Sequence, residues 1–201
     1  TTGSANTVMG YLAADALTTA SNNVAMGNSA LGAGTTGGNN VAIGFNALLS
    51  NTTGVANTAV GSRALDANTT ASNNTAVGYQ ALTENTTGTS NVAVGYNSAD
   101  ANTTGFQNTA IGYLSLTSNT TASNNTALGY NTLGATTTGQ NNVAVGSAAG
   151  ASITTGAENT VAGSLAGDSL TTGLSNTALG YKSLSSDTTG RYSVALGHSA
   201  L

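Results

Sequence analysis

A short alternation of apolar and small residues recurs along the whole chain. In the copy from Asn74 to Gly78 the order is Asn-Thr-Ala-Val-Gly. Thr and Val, two residues apart, predict one face of a β-strand, because side chains alternate between the two faces. The intervening Ala and the following Gly are then expected on the opposite face, where small residues indicate that a neighbour approaches closely.

The spacing of this stretch is constant, and it decides the organisation of the chain. Its glycine recurs every 17 residues without insertion or deletion, at Gly10, Gly27, Gly44, Gly61, Gly78, Gly95, Gly112, Gly129, Gly146, Gly163, Gly180 and Gly197. We number each repeat from its Asn, so that this glycine is position 5. A fixed period of this length indicates a stacked array of supersecondary units. We therefore expect one array over residues 1–201, with twelve rungs of which the first and last are incomplete, taken from a longer fibre.

The rest of the repeat supplies a second apolar pair and a turn. Tyr79 stands at position 6, and Ala81-Leu82 at positions 8 and 9 predicts a second short strand. Thr86-Thr87-Gly88 follows, and we expect Gly88 to give the turn a positive φ. At Ala20, Ala71 and Ala122 the turn reads Ala-Ser-Asn instead, three repeats apart. We interpret that interval as duplication of a three-rung block.

These elements predict an all-β parallel β-solenoid, a two-sided roll with two short strands per rung. Helices are disfavoured because Thr, Val, Asn and Gly are weak helix formers. At about 4.8 Å per rung the array forms a rod of about 55 Å. The aliphatic side chains of position 4 are expected to form one internal column, at Val60, Val77, Val94, Ile111 and Leu128.

Composition excludes several classes of protein. Only 5% of the residues are charged, the net charge is −4, and Pro, Cys and Trp are absent. No run of about 20 apolar residues could form a membrane helix, and no basic stretch suits nucleic acid. We expect no nucleic-acid partner, no membrane insertion of this segment and no cofactor. The lack of Cys removes disulfides and thiolate metal sites.

Few residues suggest chemistry, and we expect no enzyme. The single histidine, His198, takes the place of Tyr in the repeat, which favours a surface or interface ring over a general base. Position 10 carries an acidic residue several rungs apart, which argues against metal chelation, at Asp15, Asp66, Asp100 and Asp168. Several Asn match the N-glycosylation acceptor pattern but are interpreted as turn formers, at Asn51, Asn68, Asn73, Asn85, Asn102, Asn119 and Asn124. The Asn of position 1 is interpreted as a structural amide ladder.

The repeated motif resembles a known family. Asn-Val-Ala-Ile-Gly from Asn40 to Gly44 and Ser-Val-Ala-Leu-Gly from Ser193 to Gly197 are, with Asn74 to Gly78, similar to the YadA-like head repeats of trimeric autotransporter adhesins. Bacteriophage tail fibres carry similar runs. The resemblance implies a homotrimer of left-handed β-rolls whose first strands face the threefold axis. It also implies an extracellular fibre on a cell or virion that attaches to a surface or host.

The thin interior of each rung also predicts association. Three or four modest apolar side chains per rung contribute little burial against the entropy of ordering the chain. The missing burial is expected from two further copies, with the small residues of position 3 near the shared axis, at Ala59, Ala76, Ala93, Ala110 and Ala127. Tyr79, Tyr96, Tyr113 and Tyr130 are expected to fill the gaps between protomers. A Thr-rich solenoid that binds ice or another crystal is the alternative function.

Overall fold

The structure is a computed structural model that describes residues 2–201. It is all-β: twelve three-residue parallel strands form one sheet in sequence order. The strands are β1 (Thr7–Met9), β2 (Val24–Met26), β3 (Val41–Ile43), β4 (Thr58–Val60), β5 (Thr75–Val77), β6 (Val92–Val94), β7 (Thr109–Ile111), β8 (Thr126–Leu128), β9 (Val143–Val145), β10 (Thr160–Ala162), β11 (Thr177–Leu179) and β12 (Val194–Leu196).

Neighbouring strands pair with a register of one repeat. Thr75 of β5 lies opposite Val92 of β6, and Ala76 lies opposite Ala93. Because every pair in the sheet keeps this offset of 17, the chain winds as a β-solenoid of about 11 turns. The predicted solenoid and its period are confirmed.

The prediction of two strands per rung is wrong. Each rung has one strand, and the stretch that contains Ala81 and Leu82 is a series of tight turns. Gln80 and Leu82 both have positive φ, 54° and 52°. Positions 7, 9 and 17 have positive φ throughout the array, which an extended strand does not permit. Hydrogen bonds between rungs still continue through these turns, as from the Leu82 N–H to the Ser98 carbonyl at 3.0 Å.

The predicted assignment of the two strand faces is also wrong. The Ala of position 3 is fully buried in Ala59, Ala76, Ala93, Ala110 and Ala127. The side chains of position 4 point outward instead: Val60, Val77 and Val94 are half-buried, while Ile111 and Leu128 are 36% and 45% exposed. Ala therefore lines the interior, and it does not face a neighbouring chain.

The interior is narrow, which explains the inversion. It is built from Ala of positions 3 and 8 and Leu of position 9, with Leu65, Leu82 and Leu116 fully buried. Leu supplies most of the volume, so the facing strand has room only for a methyl group. Since side chains alternate along a strand, an inward position 3 places positions 2 and 4 on the outside.

Glycine is required at position 5 by the next rung. Gly95 has φ +138°, and a Cβ built on it would meet the Gly112 carbonyl, with the carbonyl carbon at 2.7 Å. The close neighbour that the sequence indicated is thus the chain's own next rung. At position 15 the expected positive φ is absent from Gly88, where a Cβ would instead meet the Gly105 carbonyl oxygen and the Asn85 side chain.

The Ala-Ser-Asn turns, which recur every three rungs, share a hydrogen bond to the preceding rung. The Ser hydroxyl of this turn accepts a hydrogen bond from the backbone N–H of position 16 one rung earlier. Ser72 Oγ accepts from the Val55 N–H at 3.0 Å, and Ser123 Oγ accepts from the Phe106 N–H at 3.1 Å. The Ser hydroxyl thus ties two successive turns together at this interval.

Candidate interaction surface

The outward side of the sheet carries a row of exposed aliphatic side chains. We call "sheet face" the outward side chains of positions 2 and 4 in strands β1–β12 together with the side chain of position 6 that follows each strand. Position 2 is Thr or Val, and position 4 is Val, Ile, Leu or Met except at Ala162. Ile43, Val145 and Leu179 are each 37–40% exposed although they are aliphatic.

The sheet face carries no Asp, Glu, Lys or Arg in any of the twelve rungs. Its length is about 55 Å and its width about 13 Å, which gives an area of about 700 Å². This area includes the Thr side chains of position 2 and the Ser, Asn and His side chains of position 6, so its apolar part is smaller and is formed by the aliphatic residues of position 4 with the Val and aromatic residues beside them. A contiguous exposed apolar surface of a few hundred Å² marks an interaction site. The sheet face is therefore the candidate functional site of the described chain.

A stack of tyrosines forms one border of the sheet face. Ring centroids are 5.2 Å apart between Tyr79 and Tyr96, 5.1 Å between Tyr96 and Tyr113, and 5.7 Å between Tyr113 and Tyr130. The rings are within 15° of parallel, and each is about half exposed. Since stacked rings cover one another's faces, the stack presents ring edges and hydroxyl groups outward.

The remaining aromatic pair lies near the C-terminal end of the same row. His198 stands 5.0 Å from Tyr181 between ring centroids, and it is exposed. Its Nδ1 is 3.1 Å from the hydroxyl of Ser199. His198 thus lies on the surface as part of the aromatic row, as the repeat pattern predicts.

Asparagine side chains form two buried ladders inside the solenoid. At position 1, the Asn91 N–H donates to Asn74 Oδ1 at 2.9 Å, and Asn91 Nδ2 donates to the Gly105 carbonyl at 2.8 Å. The predicted amide ladder is confirmed. The second ladder, at position 12, comprises Asn51, Asn68, Asn85, Asn102 and Asn119.

The sequence analysis does not predict the second ladder, because its residues match the glycosylation acceptor pattern and are interpreted there as turn formers. Asn85 Nδ2 donates to Asn68 Oδ1 at 3.1 Å and to the Gly88 carbonyl at 3.0 Å. All five members are fully buried, so the folded array has no room for a glycan at them. Asn73 and Asn124 are exposed. The unbroken 17-residue spacing of the five Asn was the signal for stacking.

The paired threonines of each rung have different environments. Thr86 Oγ1 donates to the Thr103 carbonyl of the next rung at 3.1 Å. Thr87, at position 14, is exposed, as are the corresponding threonines of the other rungs. The turn therefore presents one outward row of Thr hydroxyls, while the other row bonds to the backbone.

The acidic residues of position 10 stay apart. Burial raises the pKa of the Asp66 carboxyl above its usual value, and nearby Glu84 adds to this effect while Arg63 opposes it. Asp100 accepts from Asn97 at 3.1 Å and from Thr117 at 2.7 Å. Within residues 2–201, no three His, Cys, Asp or Glu side chains gather into a possible metal site, and no enclosed pocket is present.

In residues 2–201 no helix could cross a membrane. Compared with models of known families, with curated proteins and with solved structures, the chain matches none of them.

Proposed function

We propose that this chain is a non-enzymatic segment of an extracellular fibre, built as a parallel homotrimer of left-handed β-rolls. In the trimer the three sheet faces meet around a common axis. The observation that carries the proposal is the sheet face without Asp, Glu, Lys or Arg, whose exposed aliphatic row at position 4 runs the length of the solenoid. Its side chains belong to strands whose other face already packs against the chain's own core.

A second copy of the chain is the occupant that suits this surface best. A partner that covers the whole sheet face is about 55 Å long, and one that matches it rung for rung repeats at about 4.8 Å, the rise of one rung. A parallel copy has both properties, and it brings an uncharged face to an uncharged face. A typical interface between two proteins buries about 800 Å² on each partner. In a trimer the sheet face of about 700 Å² is divided between two neighbours, so each pairwise contact is smaller than that and stability comes from the three contacts together.

The resemblance to the adhesin and tail-fibre repeats supports a role in attachment. A rigid rod formed from three such rolls extends a binding end away from a cell or a virion. Attachment to a surface or host is therefore the proposed role of the parent fibre, and the segment described here supplies its length and stiffness.

Native mass spectrometry of the purified chain at micromolar concentration tests the assembly. We expect a species of three times the chain mass, whose thermal unfolding midpoint rises with protein concentration because folding and association are linked. A folded monomer that persists at this concentration would overturn the trimer. Retention of labelled trimers on candidate cells, relative to a variant that does not assemble, tests attachment.

Ice or crystal binding is the weaker candidate. Only the exposed Thr row of position 14 supports it. The Thr hydroxyls of position 13 donate to backbone carbonyls and do not form a second outward row. Thermal hysteresis of the purified chain measures this activity directly.

A further inference from the structure

Four tyrosines occupy position 6 in consecutive rungs of one chain, and we call them the tyrosine stack: Tyr79, Tyr96, Tyr113 and Tyr130. Each residue is 44–55% exposed. Adjacent ring centroids lie 5.1–5.7 Å apart, with the ring planes within 15° of parallel. The solenoid therefore holds four phenol groups side by side at its surface, where a small solute reaches them.

The tyrosine stack is the only place where tyrosines share a position in adjacent rungs. Asn28 follows Tyr11 at position 6, and Tyr181 lies between Ser164 and His198 in the same row. Trp and Cys are absent from the chain. Its phenol groups are therefore the side chains that a one-electron oxidant attacks most readily.

We propose that the tyrosine stack is an oxidative cross-linking site, at which a one-electron oxidant, such as a haem peroxidase supplied with hydrogen peroxide, joins tyrosines of adjacent rungs. Each of two rings gives one electron to the oxidant and its phenolic proton to water. The two phenoxyl radicals form a carbon–carbon bond between ring carbons ortho to the oxygens. The hydrogen on each of these carbons then moves to the ring oxygen, which restores the phenol and gives dityrosine. Two electrons are removed in all, and they reduce one hydrogen peroxide to two molecules of water.

The geometry of the stack selects which tyrosines couple. Adjacent rings already lie side by side, so two radicals meet without diffusion of the chains, and proximity favours their reaction strongly. Rings two rungs apart are separated by about 10 Å and by the ring between them. Because each ring is about half exposed, it can tilt toward its neighbour without displacing the core. Coupling is therefore restricted to neighbouring members of the stack.

A bond between adjacent members changes the mechanics of the rod. It closes a loop of 17 residues between two consecutive rungs. A cross-link of this kind restricts the unfolded chain, as a disulfide does, and it keeps the two rungs from separating. All four rings belong to one chain, so the proposal does not rest on the trimer.

The test uses the folded chain at micromolar concentration and ruthenium(III) tris-bipyridine, generated by light, as the one-electron oxidant. The oxidised chain is then unfolded and cleaved after Glu84 and Glu158 by a proteinase specific for Glu. Tyr79 lies in the fragment 1–84, whereas the other members of the stack lie in the fragment 85–158. A bond from Tyr79 to Tyr96 keeps these two fragments together in mass spectrometry, with a mass two hydrogen atoms below their sum.

Tyr96→Phe is the decisive variant, because it keeps an aromatic ring in the stack and removes the phenol. Phe45 already occupies position 6 of another rung, so the substitution suits the fold. We expect the joined fragments to fall at least about tenfold, although Tyr79 and Tyr113 both remain. Dityrosine fluorescence should persist, since Tyr113 and Tyr130 still couple. The matched control is Tyr113→Phe, which should leave the joined fragments at the wild-type level.

Isotope labelling identifies the chain from which each half of the product comes. Equal amounts of nitrogen-15-labelled and unlabelled chains are refolded together and oxidised, and we expect joined fragments that are wholly labelled or wholly unlabelled. Joined fragments of mixed label would show that the bond forms between chains, and their persistence in Tyr96→Phe would show that the stack does not select neighbours. Either result contradicts the proposal. So does an absence of dityrosine from the folded wild type in a solution where free tyrosine is coupled.

Discussion

The Val161 side chain occupies space that a side chain at Gly167 would need: a Cβ built on Gly167 would lie 2.8 Å from Val161 Cγ1. Val161 is the buried position 3 of its rung, where most rungs have Ala, and Gly167 is position 9, where most rungs have Leu. Gly150, one rung earlier, is the corresponding small residue on the other side, with Val161 Cγ2 at 3.3 Å from its Cβ site. The larger residue on the sheet is thus offset by smaller residues across the interior.

This pairing predicts a specific coupling between two substitutions. Gly167→Ala should destabilise the wild type by overpacking against Val161, an effect of about 1–3 kcal/mol. In the Val161→Ala background the same substitution should cost about 1 kcal/mol less, because the Val161 Cγ1 contact is gone and only the close contact with Leu170 Cδ1 at 3.1 Å remains. Gly167 already has φ +58°, and Ala99 at the same position has φ +49°, so backbone strain is common to both backgrounds.

Urea denaturation of the wild type, the two single variants and the double variant at one protein concentration measures the coupling. Additive changes in the free energy of unfolding would show that Val161 and Gly167 do not share space.

The same pairing shows what could have been read from the sequence and what could not. The period and the parallel solenoid follow from the 17-residue spacing alone. The choice of inward face was wrong because it followed hydrophobicity, and a one-residue shift of frame exchanges the two faces. Val161 with Gly167 shows that a larger position 3 accompanies a smaller position 9, which places both positions inside.

The missing second strand has a different cause. Ala81-Leu82 is an apolar pair that the pattern assigned to a strand, and nothing in the residue type requires the positive φ of Leu82. The left-handed conformation of a non-glycine residue costs about 1–2 kcal/mol, so it is adopted only where tertiary contacts stabilise it. Here the stacked rungs bury Leu82 completely and continue the hydrogen bonds between turns. Local sequence does not contain that information.

Gly95→Val should be among the most damaging single substitutions. The new side chain would meet the backbone of Gly112, which cannot move without displacing a whole rung, and φ of +138° is unsuited to a β-branched residue. We expect a loss of at least about 3 kcal/mol or no folded protein.

The matched control for Gly95→Val is Gln80→Leu. Gln80→Val would be a poor control, since φ at Gln80 is +54°, whereas Leu114 and Leu165 occupy the same position of other rungs with φ of 53° and 58°. Circular dichroism melting curves should place Gln80→Leu within a few degrees of wild type. Equal melting temperatures for Gly95→Val and Gln80→Leu would mean that the rungs can separate locally.

The buried ladder of position 12 predicts that Asn85→Leu destabilises the array although Leu is more hydrophobic. The substitution removes both bonds that Asn85 Nδ2 donates, and it removes the acceptor of Asn102 Nδ2, which lies 2.8 Å from Asn85 Oδ1. Unpaired buried polar groups cost about 1–3 kcal/mol each. Leu170 occupies the same position without loss, because the ladder does not reach its rung.

Glu84→Leu serves as the control for Asn85→Leu, since the neighbouring Glu84 is exposed. We expect hydrogen–deuterium exchange to accelerate in the rungs on both sides of Asn85 and to remain unchanged in the control. Equal exchange rates around residue 85 in Asn85→Leu and Glu84→Leu would show that water replaces the lost ladder bonds without a measurable cost in free energy.

Val94→Glu tests the sheet face itself. Val94 is an outward, half-buried side chain of β6, in the rung that carries Tyr96 at position 6. In the proposed trimer three carboxylates would converge near the common axis, where burial without partners and mutual repulsion oppose association. At neutral pH we expect the trimer to be lost in analytical ultracentrifugation. Below about pH 4, where a carboxyl with an ordinary pKa is protonated, assembly should return.

Thr104→Glu adds the same charge to the exposed turn row of the same rung and should leave assembly unchanged at both pH values. If Val94→Glu and Thr104→Glu sediment alike at neutral pH, the sheet face does not form the trimer interface, and it must have another partner.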